Sequence, residues 1–238
     1  MPDTLETKPH KRVNDILLGP LERPALQWLA AHMPGWVTPD TLTVIGIIGA
    51  VMVFGGYWLS CVDRNFLWLA NLGFAINWFG DSLDGTLARH RNIQRPTYGF
   101  FVDHTVDALS EVLIFLGLGL SPYVRFEVAC LALIGYLLMS VLVYVRTYSE
   151  GVFKISYAKL GPTEMRAMAM LANTFIYFVG NPMLELPFGT VSVYDLFGMS
   201  IAAALGVAYV VSTIKQARKF AKLDPAKNPG GNGVDHGQ

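Results

Sequence analysis

The sequence predicts an all-α polytopic membrane protein, with six transmembrane helices behind an N-terminal interfacial amphipathic helix. Three observations carry that prediction. Hydrophobic residues make up 53% of the 238-residue chain and charged residues only 15%, against about 25% charged in ordinary soluble domains; mean hydropathy is +0.40. Six segments approach the ~20 apolar residues that a bilayer crossing requires. The basic residues also fall almost entirely on one side of those segments.

The expected spans run from Thr41 to Val62, Phe66 to Ala88, Gly99 to Ser121, Arg125 to Tyr148, Met165 to Pro187 and Val193 to Lys215. With six crossings, the N-terminus, the loops around 89–98 and 149–164 and the C-terminus share one side. All 18 lysines and arginines lie there except Arg64 and Arg125. The positive-inside rule makes that side cytoplasmic, with both termini inside. Three regions follow: residues 1–40 as cytoplasmic N-terminus and interfacial helix, 41–222 as six-helix transmembrane domain, and 223–238 as tail.

From Val13 to Met33 the pattern changes. Ile16, Leu17, Leu21, Ala25, Leu26, Trp28 and Leu29 are mixed with Asn14, Asp15, Glu22, Arg23 and Gln27, and Pro20 and Pro24 interrupt the run. Such a helix lies in the membrane interface with Trp28 at headgroup level, or packs as a soluble helix on the loops. The tail DPAKNPGGNGVDHGQ has the Gly, Pro and Asn content of a disordered segment. The polar first twelve residues precede no run resembling a signal peptide, so the first membrane helix is expected to direct insertion.

Composition excludes some classes. Net charge is zero, with 18 basic and 18 acidic residues, unlike the clustered basic excess of a nucleic-acid binder. Cys61 and Cys130 have no metal or redox spacing and read as small apolar residues.

The chemistry is concentrated between Gly80 and Glu111, in GDSLDGTLARHRNIQRPTYGFFVDHTVDALSE. Asp81 and Asp84 are three apart and share a helix face; Asp103 and Asp107 are four apart and share another, and Glu111 is next in that series. Each carboxylate placed centrally in a membrane helix costs about 2.5–3.5 kcal/mol. Arg89 alone offsets little of this. Hard divalent cations such as Mg²⁺ prefer carboxylate oxygens and would offset it; the alternative is a set of aspartates exposed in the cytoplasmic interface. Gly85, Ala88 and Gly99 are small residues on or near these faces, giving either close helix packing or a floor for a ligand.

This string resembles the signature of the CDP-alcohol phosphatidyltransferase family, D-x2-D-G-x2-A-R followed by G-x3-D-x3-D. The matching residues are Asp81, Asp84, Gly85, Ala88, Arg89, Gly99, Asp103 and Asp107. The spacer from His90 to Tyr98 is nine residues where the family usually has seven or eight, which blurs which of Arg95, Pro96 and Thr97 meets the donor phosphates. Upstream, Thr38-Pro39-Asp40-Thr41-Leu42-Thr43 and Gly46 resemble the family's entry to its first span, where Asn is common at the position of Asp40. Pro39 opens a helix there and Asp40 or Thr41 is placed to cap it, with donor contact by Asp40 and Thr43 as the competing role.

The resemblance implies an enzyme of phospholipid biosynthesis, which transfers a phosphatidyl group from CDP-diacylglycerol to a small polar alcohol and releases CMP. It implies that Asp81, Asp84 and Asp103 hold Mg²⁺ or Mn²⁺, as two ions, and that Asp107 is general base and second-metal ligand. Asp40, Thr43, Gly85, Ala88, Arg89, Thr97 and Gly99 would meet the donor, and the protein would form a homodimer. No Ser, Cys or His is arranged as a nucleophile, so displacement is direct; His90 and His104 are bystanders. Arg146, Lys154, Lys159, Glu164 and Arg166 form either an acceptor pocket or headgroup anchors. Two rival readings are an aminoalcohol phosphotransferase, with CDP-choline or CDP-ethanolamine as donor and diacylglycerol as acceptor, and a cation-coupled transporter.

Overall fold

Helices dominate because a helix satisfies the backbone of a long apolar run within the run itself, as lipid requires. The computed structural model describes residues 11–13, 17–150, 152–154, 161–187 and 189–224. Helices α1 (Gly19–His32), α2 (Pro39–Leu59), α3 (Phe66–His90), α4 (Pro96–Leu120), α5 (Phe126–Glu150), α6 (Pro162–Val179) and α7 (Val193–Leu223) follow in order. Two short strand pairs accompany them: β1 (Lys11–Val13) parallel to β2 (Val152–Lys154), and β3 (Met183–Leu186) antiparallel to β4 (Gly189–Ser192).

Among the described residues, α2, α5 and α7 are long and apolar enough to cross a membrane. The other three expected spans differ for identifiable reasons. Helices α3 and α4 are each 25 residues long, about 37 Å at 1.5 Å per residue, but they carry the aspartates. Helix α6 stops at Val179, eight residues before the expected Pro187. Gly180 turns the chain with φ +85°, and Pro182 and Pro187 flank strand β3 of the hairpin that replaces the predicted last two turns. Helix α7 instead continues eight residues beyond Lys215, carrying Arg218, Lys219 and Lys222.

Helix α1 starts at Gly19 with Pro20 in its first turn and keeps Pro24 inside it, so the two prolines initiate and tolerate the helix rather than interrupt it. Leu26 and Ala30, one turn apart, pack against Leu42, Leu83 and Leu87, whereas Leu21 and Trp28 are exposed. The cap of α2 is Thr38: its Oγ1 accepts from the Thr41 backbone N–H at 3.1 Å. The expected cap residues Asp40 and Thr41 lie inside the first turn. The expected disordered tail lies outside the described residues from position 225 onward.

Glycine determines how α2 meets α3. In lipid, helix association has little hydrophobic drive and depends on close van der Waals packing of small residues. A Cβ on Gly73 would stand 2.7 Å from the Val53 amide nitrogen, and one on Gly56 would stand 2.5 Å from that of Ala70. Nearer the aspartates, a Cβ on Gly80 would collide with the Gly46 nitrogen and the Leu42 carbonyl oxygen. The two backbones therefore run in contact along their length.

Helix α6 is registered on this pair by a buried polar ladder. Tyr57 donates to Asn173 Oδ1 at 2.9 Å, and Asn173 Nδ2 donates to Asn71 Oδ1 at 2.9 Å. Because α3 and α6 are antiparallel, this contact brings Arg166, two turns before Asn173, to the level of Asp81. Glu22 ties α1 to both: Trp78 Nε1 and Thr163 Oγ1 each donate to its Oε1 at 2.8 Å.

Candidate metal centre

The last turns of α3 and the first turns of α4 form the site. Helix α3 ends with Arg91 as cap residue and Asn92 in the left-handed region at φ +56°, a conformation Asn tolerates better than most residues. The chain reverses over five residues and re-enters at Pro96. Arg91 fixes this corner by donating to three carbonyls of the α1–α2 connection, those of Val37, Met33 and Pro34, at 2.5, 2.9 and 2.8 Å.

The reversal brings both acidic pairs together. One carboxylate oxygen from each of Asp81, Asp103 and Asp107 lies within 4.8 Å of the others. Asp84 lines the same small cavity, with Thr43, Gly46, Asn77, Val106 and Ser110; its volume is about 10 Å³. Three carboxylates at that separation repel strongly in a low-dielectric setting, so the donor set suits a hard divalent cation.

Each aspartate is held by its surroundings. Arg166 donates from Nη2 to Asp81 Oδ2 at 2.6 Å, with both side chains largely buried. Asp84, 9% exposed, accepts from Thr43 Oγ1 at 2.7 Å and from the Gly85 amide at 2.5 Å. Thr43, expected to meet the donor, thus orients Asp84 from α2. Asp40 accepts from Arg95 Nη2 through both oxygens at 2.7 Å in an exposed pair, and the Arg95 guanidinium lies 3.8 Å from the Tyr98 ring centroid.

The remaining expected residues divide. Arg89 is exposed and folds over Gly85, donating to Thr86 Oγ1 at 3.1 Å; Ala88 lies beside it on α3. Thr97 is exposed in the first turn of α4, and a Cβ built on Gly99 would meet nothing within 4 Å, so Gly99 leaves open space rather than a packing contact. Arg166 is within the carboxylate cluster. Arg146 is partly buried near the end of α5. Only the backbone of Lys154, in β2, is described, and Lys159 lies outside the described residues.

Glu164, expected at the acceptor pocket, is engaged with backbone amides. It is 4% exposed, and its two oxygens accept from the backbone amides of Leu18 at 2.7 Å and Gly161 at 2.9 Å. It clamps the starts of α1 and α6 together. Conversely, sequence reading passed over Asn77 and Ser110. The available signal was spacing: Asn77 stands four residues before Asp81, a polar side chain in an apolar run, and Ser110 three after Asp107.

Fold and site together define a helical membrane-type protein with a cluster of aspartates in a cleft between two helices. Residues 36–214 match the CDP-alcohol phosphatidyltransferase family, and the chain belongs to it. This family is in general divalent-metal dependent and membrane-integral. Similar proteins include an archaetidylinositol phosphate synthase of Pyrococcus horikoshii, 34% identical over 143 residues, covering 58% of this chain and 70% of that protein. A phosphatidylinositol phosphate synthase of Cutibacterium acnes is 38% identical over 92 residues, covering 39% and 40%. Cholinephosphotransferase 1 of Gallus gallus is 27% identical over 186 residues, covering 72% and 53%. The chain thus spans about half or less of the length of the latter two.

Proposed function

We propose that the protein transfers a phosphatidyl group from CDP-diacylglycerol to the hydroxyl of a small polar alcohol, releasing CMP. The observation that carries this reading is the convergence of Asp81, Asp103 and Asp107 oxygens within 4.8 Å, with Asp84 lining the same cavity. When bound there, Mg²⁺ or Mn²⁺ ions, proposed as two, would neutralise the donor diphosphate. Asp81, Asp84 and Asp103 serve as their ligands.

The chain's own groups do the rest. Asp107 accepts the proton of the acceptor hydroxyl as its oxygen attacks the lipid-bearing phosphorus. The pyrophosphate P–O bond breaks, and the electron pair leaves with CMP. Arg89, permanently charged, pairs with donor phosphate, and the open face at Gly99, with Gly85, Ala88 and Thr97, admits the nucleotide. Asp40 and Thr43 border the donor from α2. Arg146, Lys154, Lys159 and Arg166 supply positive charge for a phosphate-bearing acceptor. The site faces the cytoplasm in a domain of six membrane helices spanning 41–222, with residues 1–40 seating α1 in the interface and 223–238 forming a free tail. The active form is a homodimer.

Likeness to Cholinephosphotransferase 1 supports a second reading, with CDP-choline or CDP-ethanolamine as donor and diacylglycerol as acceptor. A panel of donors and acceptors in lipid nanodiscs separates the two. CMP release from CDP-diacylglycerol with one soluble alcohol supports the first; release only from CDP-choline or CDP-ethanolamine with diacylglycerol replaces it with the second.

A further inference from the structure

Resting on the metal-site reading above, we infer that Asn77 is an additional, neutral oxygen ligand of the cation site. Asn77 is 2% exposed and sits one helical turn before Asp81 on α3. Its amide orientation follows from its neighbour: Nδ2 donates to the Gly46 carbonyl of α2 at 2.9 Å, so Oδ1 is the atom left over. That Oδ1 is fully buried and has no hydrogen-bond partner. Asn77 also lines the cavity shared by Asp81, Asp84, Asp103 and Asp107.

Buried amide oxygens are nearly always paired, because losing water without a replacement partner is costly. Here the Gly46 bond and the glycine seam fix the side chain against rotation, so the unpaired oxygen is preorganised. Hard divalent cations accept Asn carbonyl oxygens as ligands alongside carboxylates. A neutral ligand has a particular advantage in this place. It adds coordination without adding a further negative charge to a cluster whose carboxylates already repel one another.

The test uses the full chain in nanodiscs and Mn²⁺ alone, with free Mn²⁺ counted by electron paramagnetic resonance. Wild type, Asn77→Leu, Asn77→Asp and Asp81→Ala are compared. Both Asn77 variants lose the donor to Gly46, but only Asn77→Asp keeps a side-chain oxygen at this position. The inference predicts that Asn77→Leu weakens Mn²⁺ binding roughly 10–100-fold, while Asn77→Asp binds at least as tightly as wild type. Wild-type affinity in Asn77→Leu, or equal weakening in both variants, overturns it. If Asp81→Ala binds Mn²⁺ like wild type, the metal-site reading itself has failed.

Discussion

Arg166 reaches from the first turns of α6 to place Nη2 2.6 Å from Asp81 Oδ2, so a permanent cation sits against the first aspartate of the cluster. Its other terminal nitrogen, Nη1, is buried without a hydrogen-bond partner. The pair gives Asp81 a counter-charge of its own, and a divalent cation must share that carboxylate with the guanidinium.

Arg166→Met should therefore separate binding from turnover. Without the competing guanidinium, Mn²⁺ affinity should equal or exceed wild type. CMP release with a phosphorylated acceptor should fall, because the buried cation proposed to receive the acceptor phosphate is gone. Breaking a buried ion pair costs up to about 3–5 kcal/mol, so the melting temperature in EDTA should fall and recover in part with Mn²⁺, as ligand linkage requires. Weaker Mn²⁺ binding would show that the pair supports the metal site.

Thr43 tests the orientation of Asp84. Thr43→Val removes the 2.7 Å hydrogen bond while keeping shape, at a cost of about 1–3 kcal/mol for the buried carboxylate. KM for the CDP-linked donor should rise, and Thr43→Ser should restore it. An unchanged KM in Thr43→Val would leave Asp84 oriented by the Gly85 amide alone.

Two glycines predict opposite phenotypes. Gly80→Ala drives a methyl group into the α2 backbone at Gly46 and Leu42, and such overpacking costs about 1–3 kcal/mol; thermal stability should fall along with activity. A Cβ on Gly85 meets only the flexible Arg89 side chain, at 3.2 Å. Gly85→Ala should melt like wild type yet bind donor more weakly. A destabilised Gly85→Ala would assign that glycine to packing.

Much of this arrangement was legible in the sequence, and particular residues show why. Spacings of three and four put Asp81 with Asp84 and Asp103 with Asp107 on common faces, and a short reversal had to bring the faces together. Helix starts at Pro39 and Phe66 were readable from proline and hydropathy. What could not be read depends on contacts distant in sequence. Glu164 resembled one more charge in a basic loop until Leu18, 146 residues away, appeared as its partner. Asn77 looked like any polar residue in a membrane helix, since its meaning depends on Gly46 occupying its amide nitrogen. The early end of α6 depended on Gly180 adopting positive φ beside Pro182, which an apolar count over 165–187 does not register.

The role of Asp107 can be checked apart from folding. Asp107→Asn preserves shape and removes the base, so turnover should drop about 10²–10⁴-fold while the CDP-linked donor still binds in the presence of Mn²⁺. Residual activity near wild type would move the proton to another group.

The most direct test of the central claim is CMP release by purified protein in nanodiscs containing CDP-diacylglycerol, with a panel of soluble alcohols, measured in Mg²⁺, in EDTA, and after Mg²⁺ is restored. The account predicts release with at least one alcohol in Mg²⁺, none in EDTA, recovery on restoring the metal, and none in Asp81→Ala under any condition. Release that persists in EDTA, or in Asp81→Ala, would contradict a transfer reaction carried by this aspartate cluster.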